Sequence, residues 1–213
     1  MSYEGISVIK TSAGHVVLAM TGASGSAYGL LLLKTLLQSG CQVSLMVSTP
    51  GRMVIQSECG LALPSRTTEI TRQLEKHLEC DTSNLKVYGR EDWSAPVASG
   101  SNAPDAMVVC PCTTGTLASI ASGLSRTLIE RAADVVIKET RTLILVVRET
   151  PFSLIHIDNM KKLALAGVVI MPANPGFYHQ PETIEDLVRY MVARIMDHLN
   201  IEHTLFPRWG ADL

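Results

Sequence analysis

Charge is scarce in this chain, and so are paired cysteines and long apolar runs. Of 213 residues only 18% are charged, and the formal net charge is −2. A protein that grips nucleic-acid phosphates carries a basic surplus, so that class is set aside. No apolar tract is long enough to span a bilayer before a charge or a glycine breaks it. The opening MSYEGISVIKTSAGH has neither the basic start nor the apolar stretch of an export signal, so a cytoplasmic protein is expected. Five cysteines, an odd number without such a signal, argue against a disulfide framework. Cys110-Pro111-Cys112 has the wrong spacing for a zinc knuckle and lacks a second pair or a nearby histidine. Neither metal nor disulfide is expected there, and the triplet reads as a buried strand end. Repeats of solenoid period and low-complexity tracts are missing too.

What the chain has in quantity is apolar side chains, 46% of the total, which favours a buried parallel sheet or a large subunit interface. Short apolar runs of buried-strand length alternate with helical patterns. HVVLAM, QVSLMVS, LKVYG, AMVVCP, LILVV and VVIMP read as strands, and helices are expected between them and after the last. That alternation predicts a single α/β domain with a doubly wound, mostly parallel sheet, of Rossmann or flavodoxin-like type. Residues 1–15 are expected to be a lead-in, 16–200 the domain, and 201–213 a tail too apolar to float free, which should pack on a neighbouring subunit.

The chain is organised around Val16 to Gly29. An apolar strand runs into Thr21-Gly22-Ala23-Ser24-Gly25-Ser26, and a helix follows from about Ala27 to Gly40. Small residues leave backbone amides bare, and a helix N-terminus adds its dipole, so the turn suits an anion. An ordinary strand-to-helix turn has the same composition, so this stretch alone does not decide. The pattern returns at AMVVCPCTTGTLAS, where Thr113, Thr114, Gly115 and Thr116 supply hydroxyls and amides at a second helix start. Two such turns at strand ends are the arrangement expected around a ligand in an open parallel sheet. Ser48 ends the second strand and Pro50 opens a helix through RMVIQSECG, which leaves Glu58 near that helix's end, where a carboxylate opposes the dipole. On position alone Glu58 reads as a solvated surface residue. Arg131 and Lys138 share a face of the next long helix and Arg148-Glu149 abut a strand's end. The long loop REDWSAPVASGSNAPDA carries Trp93, either a flap over a flat ligand or a packing residue.

Taken together, TGASGSAYG, DWSAPVASGSNAPDAMVVCPCTTGTLA, LIERAADVVIKE, LVVRETPFS, MPANPGFYHQP and LFPRWG closely resemble the bacterial UbiX flavin prenyltransferases. The older label of that family is aromatic-acid decarboxylase subunit. The match runs in order from about Val16 to Gly210, and the middle and C-terminal motifs carry it. One departure is Thr127 in SRTLIERAAD, where the family pattern has asparagine at the start of the helix.

The resemblance implies an enzyme that joins a dimethylallyl group to nitrogen-5 of reduced FMN and closes a fourth ring at carbon-6. The donor is dimethylallyl phosphate, no metal is needed, and the prenylated FMN goes to a UbiD-type decarboxylase of ubiquinone or aromatic-acid metabolism. Such proteins are typically homododecamers with sites where subunits meet. Carried over by motif, Gly22, Ala23, Ser24, Ser48, Thr113, Thr114, Gly115, Thr116 and Arg148 should hold FMN. Arg131, Lys138, Glu149, Tyr178 and Arg194 should line the prenyl-phosphate pocket, some from an adjacent subunit, with Trp93 offering an aromatic face to an allyl cation. Glu58 matches the family's active-site glutamate, suited to proton transfer. The rival readings are a flavin-dependent cysteine decarboxylase, a non-catalytic flavin carrier and a direct aromatic-acid decarboxylase. The first carries an active-site histidine after its second helix, and RMVIQSECG has none.

Overall fold

The computed structural model describes residues 14–206. Six strands form one sheet in the order β3-β2-β1-β4-β5-β6, with every pairing parallel. They are β1 His15–Met20, β2 Gln42–Val47, β3 Leu85–Tyr88, β4 Ala106–Cys112, β5 Thr142–Val147 and β6 Val169–Pro172. Seven helices join or flank them: α1 Ser26–Gln38, α2 Thr49–Cys59, α3 Thr67–Leu78, α4 Thr114–Ala121, α5 Leu128–Lys138, α6 Leu154–Leu165 and α7 Ile184–His198. This is the doubly wound order of the Rossmann type, and it reverses between β1 and β4.

The sheet is covered on both faces, and the strands show it. Val16, Leu18 and Met20 point to one apolar cluster, shared with α1, α2, α3 and α7, while Val17 and Ala19 point to the other, with α4, α5 and α6. Leu18, Leu32, Leu33 and Leu45 are wholly buried. Each such side chain contributes about 1.5–3 kcal/mol by leaving water. The connection from β3 to β4 runs beside α5, with short 3₁₀ turns at Pro96–Ala98 and Gly100–Asn102. Leu128 N donates to Arg90 O at its upper end, and Arg131 Nε donates to Ala98 O further down.

Two local departures from regularity are placed where they matter. Pro111 stands in central β4, and the register with β5 shifts between Val109 and Cys112, since proline has no N–H for the ladder. Thr127 is the N-cap of α5, where its hydroxyl accepts from Glu130 N and the Glu130 carboxylate accepts from Thr127 N. Threonine and asparagine both cap helices, so the departure from the family pattern preserves the local job. Beyond α7, Ile201 and Leu205 pack on the α1 and α7 side of this chain's own core, and Phe206 meets Tyr190. The rest of the expected tail, residues 207–213, and most of the lead-in lie outside the described residues.

Candidate active site

At the reversal point the two turns are stitched together by one side chain. Thr21 is 3% exposed; its N and Oγ1 both donate to Pro111 O, at 3.1 and 2.8 Å, and Thr113 N donates back to Thr21 Oγ1 at 2.9 Å. The carbonyl that β4's irregularity frees is therefore satisfied by the first turn. Sequence reasoning treated Thr21 as one more small hydroxylated residue, and its position directly after β1 was the available signal.

Each turn is shaped by close approach. A Cβ on Gly22 would sit 2.5 Å from Pro50 Cβ, so only glycine lets the first turn lie against the start of α2. Gly25 has φ 112° and precedes α1 without offering any side-chain cap. Glu58, from the end of α2, supplies it instead. Its carboxylate accepts from Gly25 N at 3.0 Å and Ser26 N at 2.8 Å. Burial pushes the Glu58 carboxyl up, but hydrogen bonds from Ser24, from the Ser26 and Gly25 amides and from the Ser26 hydroxyl outweigh it, and the net shift is downward. The sequence placed Glu58 against the dipole of its own helix; the structure places it on the positive end of another, which offsets that penalty.

Ser48 caps α2 by accepting from Gly51 N at 3.0 Å, which leaves its hydroxyl hydrogen to donate. In the second turn Thr113 caps α4, accepting from Thr116 N at 3.1 Å and donating to Thr116 Oγ1 at 2.9 Å. The amides of Thr114 and Gly115 have no carbonyl one turn back to meet. A Cβ built on Gly115 finds only Thr113 Oγ1, at 3.9 Å, so nothing in the described residues fills the space before it. Arg148 follows β5, its backbone N donating to Cys112 O, and its Nε is buried with no hydrogen-bond partner among the described residues. A buried guanidinium nitrogen without an acceptor is costly, so this end of the sheet suits a ligand rich in acceptors. Amides, hydroxyls and one unsatisfied arginine at a switch point fit a flavin mononucleotide. Glu149 folds its carboxylate onto Thr150 N.

Lys138 stands apart from this end of the sheet. Lys138 ends α5 just before Thr142 opens β5, whereas Arg148 comes directly after β5's last residue. Six strand residues separate the two levels, a span of about 20 Å. Each cation is already paired on its own helix or beside it: Arg131 with Asp134 and Arg194 with Asp197, both at 2.7 Å, and Lys138 with Glu139. These pairs are partly exposed, and exposed pairs are worth about 0–1 kcal/mol, so a phosphate can replace any of the three carboxylates. Lys138 and Glu139 also crowd Gly100 of the long loop. Tyr178 is exposed on the loop after β6, and Trp93 is half-exposed at 49%. One chain thus gathers the two turns, Ser48, Glu58, Arg148 and Glu149, and sets Lys138 at the far end of β5 from them, while Arg131 and Arg194 are held by carboxylates on their own helices.

A cavity of about 570 Å³ opens at the amino ends of β1 and β2, where His15, Gln42, Ser44, Lys86 and Asn102 meet. None of the turn residues lines it, and the exposed amides and the unsatisfied arginine lie at the other end of the sheet. Cys110 and Cys112 are fully buried; burial and the neighbouring Cys112 push the Cys110 thiol up, and burial holds that of Cys112 at about 12, so neither is a nucleophile. No cluster of potential metal ligands occurs among the described residues.

This fold and these turns define an α/β flavin-binding protein, and a family model described as Flavoprotein matches residues 7–196. The flavin prenyltransferase UbiX of Pseudomonas aeruginosa is 50% identical over 196 residues, covering 92% of this chain and 94% of that one. A crystal structure of AnUbiX in complex with FMN and dimethylallyl pyrophosphate superposes with TM-score 0.81 at 37% identity, covering 93% and 98%. A dodecameric FMN-dependent UbiX-like decarboxylase from Escherichia coli O157:H7 gives TM-score 0.80 at 36% identity, covering 92% and 100%. The chain belongs to the UbiX flavin prenyltransferase family.

Proposed function

We propose that this protein prenylates reduced FMN, joining the dimethylallyl group of a dimethylallyl phosphate to nitrogen-5 and closing a ring at carbon-6. The observation that carries this is the pairing of an acceptor-hungry switch point, with Arg148 Nε unsatisfied, to 50% identity over nearly the whole length of a flavin prenyltransferase. FMN supplies the nucleophilic ring system. Gly22, Ala23, Ser24, Ser48 and Thr113 to Thr116 hold it, and Arg148 reaches it from β5.

Breaking the allylic carbon–oxygen bond leaves a cation and a phosphate. Arg131, Lys138 and Arg194, with Tyr178, stabilise the charge that grows on the leaving phosphate, help aimed at the transition state. Trp93 offers its ring face to the allyl cation. Since one chain keeps Lys138 a strand's length from its turns, the working site is shared between subunits of a homo-oligomer, as a dodecamer would provide. The exposed apolar side chains Leu154, Ile155, Ile157 and Leu165 of α6 give such contacts a surface. Glu58, held ionised by the α1 amides, enters as a base and takes the proton released when the ring closes; Glu149 borders the same pocket.

The product serves a UbiD-type decarboxylase, and the protein works in the cytoplasm; no helix among the described residues is long and apolar enough to cross a membrane. The test is anaerobic incubation with reduced FMN and dimethylallyl monophosphate or diphosphate, followed by mass spectrometry of the flavin. A gain of one dimethylallyl unit is expected, and Glu58→Gln should accumulate flavin that carries the unit without the closed ring. Unmodified flavin with both donors would overturn the reading.

A further inference from the structure

Residues 201–206, beyond the end of α7, make contacts that reach two of the site's substrate-facing side chains. His203 is nearly enclosed, its side chain 7% exposed. Leu205 N donates to its Nδ1 at 3.3 Å, so Nδ1 is the acceptor and Nε2 carries the proton, which points at Asp197 Oδ1 at 3.2 Å. The other oxygen of the same carboxylate, Oδ2, accepts from Arg194 at 2.7 Å. Arg194 alone would be a half-exposed side chain with many rotamers. Asp197, fixed from the far side by His203, gives it one preferred place.

The second chain of contacts runs through rings. His179 stacks on Tyr190 of α7 with centroids 5.3 Å apart and planes at 11°. Phe206 closes the trio edge-on, 4.3 Å from His179 and 5.5 Å from Tyr190. Both ring nitrogens of His179 are buried without a hydrogen-bond partner among the described residues, so the ring is held by packing. His179 is the residue next to Tyr178, whose own ring lies across Gly176, where a Cβ would stand 2.9 Å from Tyr178 Cε2 and 3.2 Å from the Tyr190 hydroxyl. Phe206 thus pins the loop that presents Tyr178.

We propose that the segment 201–206 is a positioning strap for the phosphate of the prenyl donor, setting Arg194 through His203 and Asp197, and Tyr178 through Phe206 and His179. The strap rests on the reading of Tyr178 and Arg194 as donor-binding residues. Its members reach the donor's phosphate only through Arg194 and Tyr178, so they are positioning residues. Because the FMN turns sit on other elements, the strap acts on one substrate and spares the other.

The test uses the full-length protein with His203→Ala, Phe206→Leu and His179→Phe, the last keeping a ring in the stack. His203→Ala and Phe206→Leu should each raise KM for dimethylallyl phosphate roughly tenfold, the scale of a slightly misplaced binding group, while kcat stays within about threefold and FMN affinity is unchanged. His179→Phe should keep the wild-type KM. In a double-mutant cycle His203→Ala should add nothing on top of Arg194→Ala. Unchanged KM in both strap variants overturns the proposal, as does equal loss of FMN binding or an additive cycle. A wild-type protein that makes no product defeats the reading of function and the strap with it, whereas turnover with an additive cycle defeats the strap alone.

Discussion

The two levels of the sheet are built on opposite principles. At the carboxyl ends of β1, β2 and β4 the groups are mostly uncharged donors, fixed by contacts local to the site: Ser48 and Thr113 cap their helices, Thr21 stitches the turns, and Glu58 caps α1. Along α5 and α7 the groups are partly exposed cations, each resting on a nearby carboxylate. The first level is preorganised in the single chain. The second is loaded, each cation held by a carboxylate of its own chain, and in the proposed function it completes another subunit's first level.

The sharpest way to break that contrast is to remove one member from each level. Arg148→Ala and Lys138→Ala should each lower kcat by roughly 10²–10³, the loss seen when one charge-stabilising donor is deleted, in the mass-spectrometric assay above. Lys138→Ala should leave FMN affinity intact and Arg148→Ala should weaken it. Next comes the stitch. Thr21→Val keeps the shape but strands Thr113 N and leaves Pro111 O with only the backbone amide of residue 21, so about 1–3 kcal/mol of stability should be lost in urea unfolding, with weaker FMN binding. Thr127→Ala removes the α5 cap and should cost about 1 kcal/mol in the same experiment, and Thr127→Asn should restore it.

The smallest effect is a pH dependence. The folded Glu58 carboxyl titrates below its ordinary 4.5, so it contributes stability above that value, and the contribution fades as the pH falls through the lower folded value. Glu58→Gln should therefore be less stable than wild type near neutrality. Its unfolding midpoint should converge on wild type in acid.

Most of the first level could be read from the residues, because apolar strand, small hydroxylated turn and helix start are consecutive in the chain. Val16 to Gly29 and Ala106 to Thr116 announce themselves. The Glu58 cap could not be read that way, since its partners Gly25 and Ser26 lie on another helix and no local pattern links them. Thr21 and Pro111 are ninety residues apart and become one hydrogen-bonded unit only because the strand order puts β1 beside β4. The separation of Lys138 from Arg148 is likewise a property of topology: close in sequence, they stand at opposite ends of β5. The tail's role was hidden for a similar reason, as His203 and Phe206 act through side chains on α7 and the loop after β6.

The most direct test of a site shared between subunits is complementation. Lys138→Ala and Arg148→Ala chains, each inactive alone, would be co-expressed and purified as one mixed oligomer. If one chain's turns meet another chain's cations, some sites receive both intact halves, and prenylated flavin should reappear at a sizeable fraction of the wild-type rate. Mixed oligomers that stay as inactive as the separate variants would place both residues in the same subunit's site and contradict the account.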